Sequence, residues 1–264
     1  MGACLSQEAD YVSDEPPKQS ACDSCSLKKP VLAPPGRPTI ALVSFPRSGN
    51  TWTRHLLQQL SGVATGSVYC DRQLKKTLYP AECRTDRVLV VKTHNVFNQE
   101  MMKFDAAVIL IRNPFLSIFS FFEYISTKRS LTKHASLVDF QEHFKEFAKE
   151  RIHQWENTYF VWLKKFKGPT HLVIYDHMLE HLQQDLAGMA EFLHFNYTTK
   201  DMCCTIKQRE GRFHRDRSRI NPKTVYSADI IKLFENTIDR VLSILHNRFP
   251  MKANFRFQSI REMD

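Results

Sequence analysis

No Gly-Lys pair occurs anywhere in the 264 residues, and glycine itself is scarce at 8. That excludes the Gly-x-x-x-x-Gly-Lys-Ser/Thr loop, in which a lysine and a hydroxyl hold nucleotide phosphates and magnesium. There is no run of about eighteen or more apolar residues, so no membrane-crossing helix is expected. Residues 1–30 are polar and acidic, without the apolar centre of a signal peptide. Acidic side chains are the minority, 28 against 37 lysines and arginines, leaving a net charge of +9. That balance suits an anionic ligand, nucleic acid or an acidic membrane surface, and composition alone does not separate them. Of the 7 cysteines, Cys22 and Cys25 form a lone C-x-x-C pair with no second pair to complete a zinc set. Reduced thiols on the cytosolic side are therefore expected.

Residues 1–38 hold six of the 12 prolines and little apolar periodicity, which reads as a disordered tail. It opens Met-Gly-Ala-Cys-Leu-Ser, matching the acylation pattern that would place a myristate on Gly2 and a palmitate on Cys4. Two acyl chains hold a membrane stably where one does so marginally, so a membrane surface is the expected partner of the tail. From 39 to 264 the chain reads as one domain. Apolar runs at about 39–45, 87–92, 106–112 and 170–175 read as strands. Helical periodicity covers about 51–61, 114–127, 138–167, 179–194 and 227–248. Strands alternating with helices predict an α/β fold, a three-layer αβα sandwich on a parallel sheet. Runs such as Val108-Ile109-Leu110-Ile111 suit strands covered on both faces.

Ligands in such folds bind beyond the carboxyl ends of the strands. The apolar run at 39–43 delivers Ser-Phe-Pro-Arg-Ser-Gly-Asn-Thr-Trp, residues 44–52. A strand, a tight loop and a helix in that order turn backbone N–H groups and a positive helix end toward an anion. Arg47 adds a guanidinium fork. The next strand delivers Lys92-Thr93-His94, the third Arg112 followed by Ser117 and Ser120, and the fourth Tyr175-Asp176. Arg47, Lys92, His94 and Arg112 on one edge predict a site for a phosphate-bearing ligand. The run 206–224 is basic and reads as a flap over it. His177 and His181, with no third ligand in sight, read as an exposed helix face; Trp155, Trp162 and the phenylalanine-rich stretch 115–122 read as core.

These residues resemble a known family, the sulfotransferases that use 3′-phosphoadenosine 5′-phosphosulfate (PAPS). Pro46 to Trp52 match the family's P-[KR]-S-G-[TN]-T-W loop. Lys92-Thr93-His94 match a second signature, and Arg112 with Ser120 match the arginine and serine of a third in identity and spacing. Val173 to Met178 resemble a fourth, weaker feature. The likeness runs from about 39 to 249, and the stretch Ser44–Asp71 is nearest in look to the sulfotransferase domain of WSC-domain-containing proteins, a branch similar to carbohydrate sulfotransferases.

The resemblance implies a P-loop-like sulfotransferase fold and PAPS as donor with no metal. It implies His94 as general base, with Arg47 and Lys92 as catalytic cations. Cofactor contacts are implied for Arg47, Ser48, Gly49, Asn50, Thr51, Trp52, Arg112, Ser120 and Tyr175. The family's Arg-Lys-Gly near the C-terminus corresponds to Arg209-Glu210-Gly211, with Arg212 as a further contact. The acceptor would be a small molecule or a glycan, met by loops within 62–86 and 125–152. Two alternatives stand beside this reading: a kinase with a divergent phosphate loop, and a non-catalytic nucleotide-binding protein on the same fold. Nucleic-acid binding through the basic run is not expected, because an anionic cofactor accounts for much of the charge.

Overall fold

The structure, a computed structural model, describes residues 24–96, 98–128, 130, 133–211 and 220–263. Strand β1 (Ile40–Val43) leads into helix α1 (Asn50–Ser61). A two-residue strand β2 (Gly66–Ser67) and a short helix α2 (Arg72–Thr77) follow. Next come β3 (Val91–Thr93), α3 (Asn98–Met101) and β4 (Ala106–Ile111). Helices α4 (Pro114–Ser126) and α5 (Leu137–Phe160) precede β5 (Thr170–Ile174). The chain closes with α6 (Tyr175–Glu180), α7 (Leu182–Phe192), α8 (Thr199–Lys207) and α9 (Ala228–Arg248).

The five strands form one parallel sheet in the order β2-β3-β1-β4-β5. Alternate residues serve opposite faces, as a period of two demands. Ala41, Val43, Val91, Ala107, Ile109 and Ile111 face one core, shared with α4, α5 and α9. Ile40, Leu42, Val108, Leu110 and Val173 face the other, shared with α1, α6 and α7. Both faces are covered, so the strands read as continuous apolar runs rather than alternating ones.

Several expectations are corrected here. The run at 87–92 pairs as a ladder only from Val91; before it, Leu89 N–H bonds the Ala64 carbonyl at 2.8 Å instead. Strand β2 and helices α2 and α8 were not expected, and the helix expected at 179–194 breaks at His181. The helix expected through 167 leaves α geometry at Val161 for a π turn, Val161–Lys165, closed by Phe166 N–H on the Val161 carbonyl. Within 125–152, most of the segment is α5 rather than loop. Trp155 and Trp162 are fully buried, as expected.

The reduced-thiol expectation is overturned: Cys25 is bonded to Cys204 and Cys70 to Cys83, and Cys203 is also in a disulfide. Residues 24–38, expected as part of a tail, lie against the domain. Ala64 N–H bonds the Val31 carbonyl at 2.8 Å, Lys28 pairs with Asp201 at 2.6 Å, and Ala33 is buried. Gly2 and Cys4 lie outside the described residues.

Beneath α1 sits a fully buried ion pair, Arg54 Nη2 to Glu82 Oε2 at 2.5 Å. Arg54 also donates to the Thr65 hydroxyl at 3.0 Å and stacks 3.9 Å from the Tyr79 ring centroid. Tyr79 donates to the Thr51 carbonyl at 2.6 Å. The loop that carries Tyr79 and Glu82 is thereby fastened to the first turns of α1, and the Cys70–Cys83 bridge closes it. Removing one member of such a pair strands a charge in low dielectric. Glu82→Gln is expected to cost about 3–5 kcal/mol in a denaturant titration. A loss under about 1 kcal/mol, typical of exposed pairs, would contradict this account.

Candidate functional site

Strand order places the site. The connection after β1 leaves toward β2, while the one after β3 leaves toward β4 on the opposite side. A crevice opens between β1 and β3 at that reversal, where open α/β sheets take their ligands. Residues 44–49 and 92–95 line it.

The turn after β1 is tight for a specific reason. Arg47 and Gly49 both take left-handed backbone, with φ of 64° and 92°. A Cβ on Gly49 would stand 2.4 Å from Cε2 of Tyr175, so only glycine lets the turn lie beneath that ring. No side chain caps α1 at Gly49. Asn50 turns inward and donates to the Leu42 carbonyl at 3.0 Å and the Ser44 hydroxyl at 3.2 Å. The first-turn N–H groups of α1 are thus open to an anion, with the helix dipole behind them.

Cations surround this cradle. Arg47 Nε donates to the Ser120 hydroxyl at 3.3 Å, and its guanidinium lies 5.3 Å from the Tyr124 centroid. Arg112 Nη1 donates to the Arg47 carbonyl at 2.8 Å and sits 4.5 Å from the Tyr175 centroid. Its Nε is buried without a hydrogen-bond partner among the described residues. Burial pushes the neighbouring Asp176 carboxyl up, with Arg112 and the Asn113 amide pulling it back. Lys92 is lowered from 10.5 to about 8, first by burial and then by the Arg54 charge, against the opposing pull of Glu82 and Asp71.

His94 occupies the β3 side. Its Nδ1 is 2.6 Å from the Ser44 carbonyl, which can only accept, so the ring proton sits on Nδ1 and Nε2 carries the lone pair. Burial, then the Lys92 charge, hold the imidazole down to about 3 from 6.5, with the Ser44 bond pulling weakly upward. The ring is therefore neutral at physiological pH. Tyr69, 43% exposed, stacks on it at 5.5 Å and 26°. The Tyr69 hydroxyl accepts from His94 N–H at 2.7 Å and donates to Asn95 Oδ1 at 3.0 Å. Sequence reasoning gave Tyr69 no role of its own. Its position depends on the β2 edge and the Cys70–Cys83 bridge, neither of which leaves a local signal.

The structure brings Arg47, Ser120, Arg112, Tyr175 and Gly49 into mutual contact, with Lys92 and His94 beside them. Trp52 meets Tyr175 edge-on at 5.8 Å, and its indole N–H donates to the Arg209 carbonyl at 2.7 Å. His55 Nε2 binds the Gln208 carbonyl at 3.0 Å. The start of the basic run is therefore docked on α1 by backbone carbonyls, while the Arg209 side chain turns to Glu210 at 3.3 Å. Gly211 has φ 64° and lies against the His55 ring. Arg212 lies outside the described residues. Phe119 and Phe122 pack on Phe140 and Phe144 as core rather than lining a pocket. His177 binds Asp185 at 2.8 Å and meets His181 at 4.5 Å. No metal-holding group occurs among the described residues.

An uncapped helix end, a glycine pressed under an aromatic ring, two guanidiniums and a lysine match the chemistry of a nucleotide bearing phosphate or sulfate groups.

No family model matches the chain. It is 36% identical over 187 residues to a WSCD family member of Aedes aegypti, covering 69% of this chain and 58% of that protein. It is 35% identical over 183 residues to one of Drosophila melanogaster, covering 67% and 57%. The chain thus spans less than two thirds of the length of these curated relatives. Among solved structures it is similar to mouse sulfotransferase SULT7A1 complexed with PAP, with TM-score 0.54, 15% identity, and 82% and 88% of the two chains covered. It is also similar to retinol dehydratase in complex with androsterone and inactive cofactor PAP, with TM-score 0.51, 16% identity, and 79% and 82% covered. At those identities the likeness establishes the fold, and it is the sulfotransferase fold that the residues at 46–52 and 92–94 led us to expect.

Because Lys92 loses its proton near 8 and His94 stays neutral, nucleotide affinity should, once the ligand's phosphates are ionised above about 7, fall as pH rises through about 8. Calorimetry with adenosine 3′,5′-bisphosphate across pH checks this. A loss of affinity centred near the ordinary histidine value of 6.5 would contradict it.

Proposed function

We propose, from the premise that this is a WSCD-like chain with the sulfotransferase fold, that it moves a sulfuryl group from PAPS to a hydroxyl acceptor. The observation that carries the proposal is His94: a neutral imidazole with Nδ1 committed to Ser44, set beside a cationic cradle at the sheet's reversal point. When bound, PAPS supplies the sulfuryl group, and adenosine 3′,5′-bisphosphate is the leaving group. His94 Nε2 takes the proton of the acceptor hydroxyl as its oxygen attacks. Lys92 and Arg47 offset the negative charge that builds on the transferring group and the departing oxygen.

The N–H groups over Gly49–Trp52, with the Thr51 hydroxyl, hold the 5′ end of the nucleotide. Arg112 and Ser120 hold the 3′-phosphate, which is the group that separates this donor from ATP. Tyr175 stacks on the adenine, with Trp52 behind it. Arg209 and Gly211, docked against α1, stand on the nucleotide's side of the basic run, and Arg212 is proposed as a further contact. The reading needs no metal, because guanidinium and ammonium groups provide the neutralising charge. A small-molecule or glycan hydroxyl would enter from the open side, against Tyr69. Support for the donor comes from the two structural neighbours, both of which are complexed with PAP.

His94→Ala should lower turnover by about 10²–10⁴-fold while adenosine 3′,5′-bisphosphate binds with near-normal affinity. Tyr69→Phe, which keeps the stack and loses the hydroxyl, should lose less turnover than Tyr69→Ala. Steady-state assay with labelled PAPS and a hydroxyl acceptor reads both. Normal turnover of His94→Ala would remove the base assignment, and equal losses in the two Tyr69 variants would remove the role of the stack.

A further inference from the structure

Of the 7 cysteines, Cys4 and Cys22 lie outside the described residues. All the others, Cys25, Cys70, Cys83, Cys203 and Cys204, are in disulfides. The Cys25–Cys204 bridge spans 179 residues, so it joins parts of the chain that meet only in the folded domain. Pairing of every described cysteine belongs to proteins that mature in an oxidising compartment, because cytosolic reductants keep thiols free. This opposes the cytosolic-face placement expected from Gly2 and Cys4.

An oxidising compartment of the secretory route also modifies asparagine in the sequence Asn-x-Ser/Thr where x is not proline. The chain contains one such triplet, Asn196-Tyr197-Thr198. It lies in the connection between α7 and α8, and Asn196 is exposed with no side-chain hydrogen bond among the described residues. The same connection carries His194. With Phe192, this residue faces Pro38, Ile40, Ala106 and Pro169 across a cleft at the amino ends of β1, β4 and β5. The triplet is therefore at the pole of the sheet opposite the candidate site, where a bulky substituent obstructs neither nucleotide nor acceptor.

We propose that Asn196 carries an N-linked glycan, added as the domain enters an oxidising compartment. In the transfer, the Asn196 Nδ2 forms a bond to the anomeric carbon of a lipid-pyrophosphate-linked oligosaccharide. The bond from that carbon to the phosphate oxygen breaks, the lipid pyrophosphate departs, and the amide nitrogen gives up a proton. The modification precedes final folding, because in the folded domain the Thr198 hydroxyl is engaged in capping α8: it donates to Asp201 Oδ2 at 2.8 Å and accepts from Asp201 N–H at 3.1 Å. This inference goes beyond the proposed activity and does not depend on it.

The test uses the full chain expressed in eukaryotic cells. Free thiols are alkylated before reduction, and the peptide holding Asn196 is read by mass spectrometry before and after peptide:N-glycosidase in heavy-oxygen water. The account expects Cys25, Cys70, Cys83, Cys203 and Cys204 unalkylated, a glycosidase-sensitive mobility shift, and a heavy-oxygen aspartate at 196. The shift should vanish in Asn196→Gln and persist in Thr198→Ser, which keeps both the triplet and the helix cap. Nucleotide affinity should change less than twofold in Asn196→Gln. Alkylated Cys25 and Cys204 with unmodified Asn196, or a shift that survives Asn196→Gln, would overturn the proposal. If Asn196→Gln is not recovered folded, the heavy-oxygen label on the unaltered chain decides alone.

Discussion

Ser44 joins three parts of the molecule at one fully buried residue. Its carbonyl takes the Nδ1 proton of His94 at 2.6 Å, its hydroxyl accepts from Asn50 at 3.2 Å, and its N–H reaches the Thr93 carbonyl at 3.3 Å. Strand β1, strand β3 and the first turn of α1 are thereby held in one register. The tautomer of His94, the inward turn of Asn50 and the open end of α1 all follow from it. Tyr159 braces the same region from behind, accepting from Phe45 N–H at 3.2 Å and donating to the Leu110 carbonyl at 2.9 Å. Strand ends and the tight turn fastened between β1 and α1 thus carry the groups whose geometry matters.

Positive charge dominates the electrostatics of the crevice. Arg54 is neutralised by Glu82, and Asp176 faces Arg112 with its own carboxyl pushed up by burial. Arg47 and Lys92 stand beside a helix end that adds a further positive field. Burial first, and then the like charges close by, depress both groups, which is why Lys92 sits near 8 and His94 near 3. An incoming dianion relieves that repulsion, so the strain of holding the cations together becomes selectivity for phosphate and sulfate groups. Burial and the same field keep the imidazole neutral, and the negative charge of a bound nucleotide would raise its basicity toward the range a proton acceptor needs.

What the sequence disclosed was local. Residues 46–52, 92–94 and 112–120 are each a contiguous signal, a strand end with its turn, and the fold that unites them is one sheet edge. Apolar runs at 40–43, 106–111 and 170–174 were legible because burial on both faces leaves them unbroken. Strand β2 was not, since two residues carry no periodicity. Tyr69, Tyr79 and Glu82 were missed for a different reason: each acts through a partner that folding alone brings near, respectively His94, Thr51 and Arg54. The cysteines misled because composition and a polar N-terminal stretch suggested a reducing compartment, whereas their pairing is set by the meeting of Cys25 with α8 and by the loop that Cys70 and Cys83 close.

The central claim is that the cradle after β1, flanked by the carboxyl ends of β3 and β4, is a site for a nucleotide with a 3′-phosphate. Calorimetric titration with adenosine 3′,5′-bisphosphate against ADP, both without magnesium, tests it most directly. The account predicts saturable binding of the bisphosphate in clear preference to ADP, with the preference lost in Arg112→Ala. Equal binding of the two nucleotides, or binding of the bisphosphate unaffected by Arg112→Ala, would contradict it.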